Sequence, residues 1–112
     1  MKRVLIVDDE PLIRSALSKA LKGIAVVETA ATGEQANARV RARSYDLCFL
    51  DVVLPDVSGL EVMQQIKKTS PKTKIVIMTA YATDTVREEI QKEAYRFMEK
   101  PLNLAQIKEI VR

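Results

Sequence analysis

Histidine is absent from this sequence of 112 residues, and cysteine occurs only once, at position 48. A single cysteine has no disulfide partner within the chain, which suits a reducing compartment. Because no histidine is present to activate it, Cys48 is predicted to be a small core residue rather than a nucleophile. Without histidine or paired cysteines, any metal site must use oxygen ligands, which hard ions such as Mg²⁺ prefer.

Long hydrophobic segments and a strong charge of one sign are absent too. Near the amino terminus only Val4–Val7 is continuously apolar, which is too short for a signal peptide core or a membrane span, so we expect a cytoplasmic protein. The net charge of +3, from 18 basic and 15 acidic residues, is too small to indicate nucleic acid binding. We interpret the basic run Arg39, Arg41 and Arg43 as a solvated helix face. The length and the 47% hydrophobic content predict one compact domain over residues 1–112.

Short apolar runs alternate with segments of helical periodicity along the chain. Bounded by turn signals, such runs are typical of strands buried on both faces. The predicted strands are Val4–Val7, Ala25–Glu28, Asp46–Asp51, Lys74–Thr79 and Tyr95–Glu99. In the first of five predicted helices, the apolar residues at helical spacing are Leu12, Ile13, Ala16, Leu17, Ala20 and Leu21. Five βα units predict an α/β fold, a doubly wound parallel sheet with helices on both faces.

Polar side chains stand at the carboxyl ends of four predicted strands. Asp8 and Asp9 follow the first strand, Asp51 ends the third, Thr79 ends the fourth and Lys100 follows the fifth. In a parallel sheet these ends lie at one edge, where open α/β sheets bind ligands. The three carboxylates are expected to raise one another's pKa, which a lysine and a divalent cation would relieve. Oxygen ligands favour Mg²⁺, and Mn²⁺ is able to substitute.

A carboxylate beside a hard cation with open coordination positions indicates phosphoryl transfer to that carboxylate. Asp51 is the candidate nucleophile and would form an acyl phosphate. The metal and Lys100 would neutralise charge on the transferring group, and the Thr79 hydroxyl would donate a hydrogen bond. Each residue alone also has a structural explanation, since acids favour helix N-termini and polar residues commonly end strands. Their conjunction at four strand ends favours the functional interpretation.

The sequence resembles the receiver domains of two-component response regulators, the CheY-like family. The matching motifs are Val-Asp8-Asp9-Glu-Pro, Leu-Asp51-Val-Val-Leu-Pro55-Asp-Val-Ser-Gly59, Met-Thr79-Ala80-Tyr and Glu-Lys100-Pro101, and together they span the chain. The resemblance implies a flavodoxin-like (βα)5 fold with strand order 2-1-3-4-5. It also implies a signalling switch rather than an enzyme, in which Asp51 is phosphorylated with Mg²⁺ by a histidine kinase or a phosphotransfer protein.

The same resemblance implies further roles. The positions matching the metal site are Asp8, which acts mostly through water, Asp9, Asp51 and the backbone carbonyl of Val53. Thr79 and Phe97 match a switch pair, in which the hydroxyl turns toward the phosphoryl group and the ring moves inward. The Lys100–Pro101 peptide matches one that is usually cis in the family.

The resemblance places the output on the surface of the fourth helix, fifth strand and fifth helix. The partner there would be a second receiver, giving a homodimer, or an output domain or effector. Glu93-Ala94 stands where many relatives have Gly-Ala, so we expect an altered end of the fourth helix and an unusual output geometry. The last helix is expected to be truncated at Arg112, with an output domain missing. Val53 and Tyr81, which flank the path of the attacking water in the family, are bulky and neither acidic nor amide, which predicts slow self-dephosphorylation.

Three other functions share parts of this pattern. A metal-dependent phosphatase with an aspartate nucleophile commonly carries a second aspartate two residues later, where this chain has Val53, and no obvious general acid stands elsewhere. A flavin or nucleotide-binding module needs a Gly-rich or Ser/Thr-rich loop after the first strand, where this chain has Asp8-Asp9-Glu10. The complete set of acids argues against a receiver-like interaction domain that never becomes phosphorylated.

Overall fold

The computed structural model describes residues 1–80 and 83–112. Within them strand and helix alternate in the predicted order. The elements are β1 (Lys2–Val7), α1 (Pro11–Ala20), β2 (Ala25–Ala30), α2 (Gly33–Ala42), β3 (Leu47–Asp51), α3 (Gly59–Thr69), β4 (Lys74–Thr79), α4 (Asp84–Glu93), β5 (Arg96–Glu99) and α5 (Leu104–Val111). Every predicted strand is present, with bounds that shift by no more than two residues. In this described part of the chain, no helix is both long enough and apolar enough to cross a membrane.

The five strands form one parallel sheet in the order β2-β1-β3-β4-β5, which confirms the predicted fold. β1 lies in the sheet between β2 and β3, so consecutive strands are not always neighbours. Because all the strands are parallel, their carboxyl ends lie along one edge. This edge carries the polar residues that end or follow β1, β3, β4 and β5.

Helices cover both faces of the sheet. Since successive strand residues point to opposite faces, each strand contributes to two hydrophobic cores. On the first face, α2, α3 and α4 contribute Ala36, Val40, Val62, Met63, Ile66 and Ile90. On the second face, α1 contributes Leu17, the residue after α1 contributes Leu21, and α5 contributes Ile107 and Val111. The central strands are buried on both sides, which explains why their sequences are continuously apolar.

Leu12 does not belong to the core, although its helical spacing placed it among the apolar residues of α1. Its relative exposure is 83%, whereas Leu17 is buried. The two residues are separated by five positions, roughly 140° around the helix axis, so they cannot face the sheet together. The apolar residues of α1 therefore occupy more than one face of the helix.

Cys48 lies in β3 and is fully buried in the first core. Burial raises the pKa of its thiol to about 12. The reactive thiolate is therefore scarce at neutral pH, and a small core residue is the role that the structure supports.

Candidate functional site

The polar residues predicted at the strand ends meet at one edge of the sheet. Asp8 directly follows β1, and Asp51 is the last residue of the neighbouring strand β3. Both are buried, as is Thr79 at the end of β4. Lys100 directly follows β5, and its backbone N–H donates a hydrogen bond to the Thr79 carbonyl at 2.7 Å. The four strand ends therefore contribute to a single site, as the βα pattern predicted.

The ammonium group of Lys100 connects the acids. Its Nζ lies 2.9 Å from Asp8 Oδ2, 2.9 Å from Asp51 Oδ2 and 3.3 Å from Glu10 Oε1. Burial by itself lowers the pKa of Lys100, but the hydrogen bond to Asp51 and the charges of Asp51 and Asp8 outweigh it and raise the pKa above its usual value. Lys100 is therefore protonated at neutral pH and offsets part of the negative charge of this cluster.

Burial is the main reason why the pKa of the Asp51 carboxyl is raised above its ordinary value. Hydrogen bonds from Lys100 Nζ at 2.9 Å and from the Val53 N–H at 3.0 Å act in the opposite direction. The charge of Asp8 also raises the pKa of Asp51, but it contributes less than burial does. Mutual repulsion of the carboxylates, the cause expected from the sequence, is thus a secondary contribution.

The acids form a group whose chemistry fits a hard divalent cation. One carboxylate oxygen from each of Asp8, Asp9, Glu10 and Asp51 can be chosen so that all lie within 4.8 Å of one another. The buried oxygen Asp8 Oδ2 lies 2.9 Å from the Lys100 ammonium, and among the described residues it has no other hydrogen-bond partner. Such an oxygen requires positive charge nearby. An adjoining cavity of about 300 Å³ leaves space for water or phosphoryl oxygens. The residues that line it are Asp9, Glu10, Asp51, Val53, Thr79, Ala80 and Lys100.

Gly59 allows the chain beyond Asp51 to fold back closely. Gly59 is the first residue of α3, and its N–H donates a hydrogen bond to the Val52 carbonyl at 2.7 Å. A Cβ at position 59 would lie 2.1 Å from the carbonyl oxygen of Asp51. Because the clash is with backbone rather than with a flexible side chain, any other residue would displace the end of β3. The glycine in the sequence motif is therefore explained by close approach.

Thr79 and Phe97, the predicted switch pair, lie on adjacent strands. Phe97 pairs with Ile77, two positions before Thr79, so alternation places all three side chains on the same face of the sheet. The Phe97 ring is half-buried against the first core, and the guanidinium carbon of Arg87 lies 5.3 Å from its centroid. Arg87 also forms an ion pair with Glu99. One residue of α4 thus contacts β5 at the switch position.

The end of α4, at Glu93-Ala94, is formed without a glycine. After Glu93 the chain turns directly into extended backbone at Ala94, with φ −88° and ψ 150°. No non-glycine residue in the described part of the chain has a positive φ. Instead, Lys67 of α3 donates from Nζ to the Glu93 carbonyl at 3.1 Å, and Gln64 pairs with the Glu93 side chain. Contacts from α3 therefore satisfy a carbonyl at the end of α4.

Two residues of this region were missed in the sequence. Glu10 directly follows Asp8-Asp9, and a search for every acid next to the strand end would have found it. Asp56 accepts hydrogen bonds from the backbone N–H groups of Gly33 and Glu34, 23 and 22 residues earlier. No local pattern indicates the contact of Asp56 with these two amides, because the contact depends on how α2 packs beside the β3–α3 connection.

The remaining predicted positions lie at the rim of the cavity. The Val53 side chain is 69% exposed there, and Ala80 lines the cavity. The Lys100–Pro101 peptide is cis, as the resemblance implied. Tyr81, which was paired with Val53 in the prediction of slow dephosphorylation, lies outside the described residues.

Comparison with known proteins agrees with this geometry. The family model of the response regulator receiver domain matches residues 4–112. The chain belongs to this family. Receiver domains are phosphorylation-activated switches in two-component signalling. The response regulator protein PilR of Pseudomonas aeruginosa is 35% identical over 112 residues, covering 98% of this chain and 25% of PilR. This receiver domain thus spans about a quarter of the length of that relative.

Solved receiver structures share the fold throughout. A CheY-like receiver domain protein from Methanospirillum hungatei superposes with a TM-score of 0.94 at 29% identity, covering 99% of this chain and 90% of that one. The response regulator TrrA from Thermotoga maritima, solved in complex with Mg²⁺ and BeF, has a TM-score of 0.86 at 38% identity and covers 99% of this chain and 96% of its own. The likeness covers the whole sheet and all the strand ends that form the acidic site.

Proposed function

We propose that this receiver domain accepts its phosphoryl group on Asp51. The observation that carries the proposal is the position of Asp51, at the end of a buried strand, with one carboxylate oxygen 2.9 Å from Lys100 and an open cavity beside it. Lys100 also contacts the buried Asp8, which does not line the cavity, and Glu10, which does. Among the described acids of the cluster, Asp51 is the buried one that both contacts the lysine and lines the cavity. Asp9 and Glu10 line the cavity as well, but both are exposed.

In the proposed reaction, the phosphoryl group passes from its donor to Asp51. An Asp51 carboxylate oxygen attacks phosphorus and forms an O–P bond, while the P–N bond to a phosphohistidine, or the P–O bond of acetyl phosphate, breaks. The donor leaves with the bonding electrons, and Asp51 becomes an acyl phosphate. Lys100 balances negative charge on the transferred group, and the Thr79 hydroxyl donates a hydrogen bond to it.

We propose that Asp9, Asp51 and the backbone carbonyl of Val53 hold Mg²⁺ here, with Asp8 acting mostly through water. When bound, the cation neutralises charge on the phosphoryl oxygens as they approach the acids. The grouped carboxylates support this ligand set, as does the relative TrrA, which binds Mg²⁺ with BeF. Mn²⁺ is expected to substitute, because it accepts the same oxygen ligands.

The output follows from the switch pair. Phosphorylation turns Thr79 toward the phosphoryl group, and the Phe97 ring moves inward into the space that the hydroxyl leaves. Such a change can shift the population only if the two arrangements interact differently with the phosphoryl group. The surface that changes is formed by α4, β5 and α5, and it would control an output domain or effector, or pair two receivers as a homodimer.

A histidine kinase or phosphotransfer protein is the proposed donor, in the cytoplasm. A longer regulator with an output domain is supported by the greater length of PilR. We further propose slow self-dephosphorylation, since Val53 offers no acid or amide to position water at the cavity. A phosphoryl lifetime of seconds in the purified domain would contradict this last proposal.

Intact mass spectrometry after incubation with acetyl phosphate tests the phosphoacceptor. We expect a single phosphoryl adduct on the wild-type chain, dependent on Mg²⁺, and none on Asp51→Asn. The isosteric amide keeps the volume at the strand end, and circular dichroism shows whether the variant is folded. An adduct that persists on folded Asp51→Asn would mean that another residue is the nucleophile. A folded wild-type protein that gives no adduct would favour an unphosphorylated interaction domain.

A further inference from the structure

The β3–α3 loop, residues 52–58, carries the carbonyl of Val53 yet buries little of its own surface. Among these side chains only Val52 and Leu54 are half-buried, and the others are exposed. A surface loop with so few apolar contacts relies on polar contacts to hold one conformation. Its base is held by the Gly59 N–H, which donates to the Val52 carbonyl at 2.7 Å. The tip of the loop has a different anchor.

Asp56 provides that anchor by reaching the amino terminus of α2. Its Oδ1 accepts a hydrogen bond from the Gly33 N–H at 2.8 Å, and its Oδ2 accepts one from the Glu34 N–H at 2.9 Å. The first N–H groups of a helix have no partner within the helix, and their partial positive charge favours an anion. The bonds from Gly33 and Glu34 lower the pKa of Asp56 below its ordinary value, so its carboxylate is charged at neutral pH.

The shape of the two segments matches this contact. A Cβ on Gly33 would lie 2.3 Å from Val57 Cγ2 in the loop and 2.9 Å from Val62 Cγ2 in α3, so a side chain at position 33 would push these neighbours away from the helix end. The next amide of α2 is capped within its own segment, where the Thr32 hydroxyl accepts from Gln35 at 3.1 Å. The first turn of α2 is thus capped partly by its own chain and partly by the distant loop.

We propose that Asp56 is a positioning residue for the phosphorylation site, because it docks the β3–α3 loop on α2 and thereby sets the location of Val53 relative to Asp51. The inference rests on the proposed function, in which the Val53 carbonyl helps to hold Mg²⁺. The Val53 N–H donates to Asp51 Oδ1 at 3.0 Å, so a shift of the loop would move both a metal ligand and a hydrogen bond of the phosphoacceptor. Asp56 itself acts only through the loop.

Calorimetric titration of Mg²⁺ into the 112-residue chain measures this role without any phosphorylation. We expect Asp56→Ala to raise the dissociation constant for Mg²⁺ roughly tenfold, as is common when a partner that orients a metal ligand is removed. The initial rate of phosphorylation by acetyl phosphate should fall by a similar factor at low Mg²⁺ and recover partly at saturating Mg²⁺. Asp56→Asn, which keeps one acceptor oxygen but loses the charge, should lie between wild type and Asp56→Ala.

Thr32→Ala is the matched control. It removes the cap on the Gln35 N–H at the same end of α2 and keeps the Asp56 carboxylate and the two amides that it accepts from, so it should weaken the helix end and leave the Mg²⁺ affinity at the wild-type value. If Thr32→Ala raises the dissociation constant as much as Asp56→Ala does, the effect belongs to α2 stability and the positioning role is refuted. Wild-type affinity in both Asp56 variants refutes it as well.

The two proposals can fail separately. If Asp56→Ala does not fold, the comparison of Asp56→Asn with Thr32→Ala decides the positioning role by the same criterion. A wild-type chain that binds Mg²⁺ but gains no phosphoryl adduct contradicts the proposal for Asp51. The Mg²⁺ dissociation constants of the variants would still show whether Asp56 positions the loop.

Discussion

The ammonium group of Lys100 lies 2.9 Å from the carboxylate of Asp51, although the two residues are 49 positions apart in the chain. Only 12% of the lysine side chain and 6% of the aspartate side chain are exposed. The contact forms because β3 and β5 flank β4 and all three end at the same edge. It joins the candidate nucleophile to the cation that would balance the charge of the incoming phosphoryl group.

Lys100→Met should destabilise the metal-free protein by about 3 kcal/mol, because removing one partner of a buried ion pair leaves the other charges uncompensated. Mg²⁺ should restore part of this loss, since the cation replaces the missing positive charge among the acids. Urea unfolding with and without Mg²⁺ measures both effects. Lys68→Met, at an exposed position of α3, is the control and should change stability little in either condition. Equal penalties with and without Mg²⁺ would argue against a metal site at these acids.

Gly59→Ala should lower the free energy of unfolding by about 2 kcal/mol or more, because its Cβ would lie 2.1 Å from the backbone oxygen of Asp51. Displacement of β3 should also reduce phosphorylation. Gly23→Ala provides a comparison, since no atom lies within 4 Å of a Cβ there and only its φ of 82° is unfavourable. Gly59→Ala should therefore unfold at a lower temperature and be phosphorylated more slowly than Gly23→Ala. If Gly59→Ala is phosphorylated at the wild-type rate, the site tolerates a displacement of β3.

Arg87→Ala should favour inward movement of Phe97, because it removes the cation that lies over the ring. An exposed cation–π contact is worth about 0.5 kcal/mol, so the equilibrium should shift roughly twofold. Fluorophenylalanine labelling would give only two resonances, from Phe97 and from the fully buried Phe49, which serves as an internal reference. We expect the Phe97 resonance to move toward its position in the phosphorylated protein. A resonance that is unchanged by Arg87→Ala would show that this contact does not hold the ring.

Alkaline pH should destabilise the fold through Tyr45. Burial, together with the hydrogen bond from its hydroxyl to Glu28 at 2.6 Å, raises the pKa of Tyr45 to about 12. An unfolded tyrosine ionises near pH 10, so between about pH 10 and 12 the folded state retains a proton that the unfolded state releases. Stability from this residue is complete below about pH 10 and is lost as the pH rises through 12. Urea unfolding of wild type and Tyr45→Phe across this range should show that the free energy of unfolding falls more steeply with pH for wild type. Parallel declines in the two proteins would contradict this role of Tyr45.

Much of the fold could be predicted because the relevant signals are local. A run such as Lys74–Thr79 is short, apolar and followed by a helical pattern, so its type and its end can be read without knowing its neighbours. Repetition of this βα unit then places all the strand ends at one edge, which predicts that Asp8, Asp51, Thr79 and Lys100 lie close together. Local spacing did not show that Leu12, one of the apolar residues of α1, lies on an exposed face.

Local sequence patterns thus specify the parallel sheet, the acidic edge and the candidate nucleophile, since apolar periodicity and the residue that ends each strand are properties of consecutive positions. Which groups distant in the chain come into contact depends instead on how the helices and loops pack. Asp56 caps α2, Lys67 of α3 caps α4, and Glu10 joins the group of acids around Lys100. Such contacts depend on the angles and distances at which helices and loops pack, which no local pattern encodes.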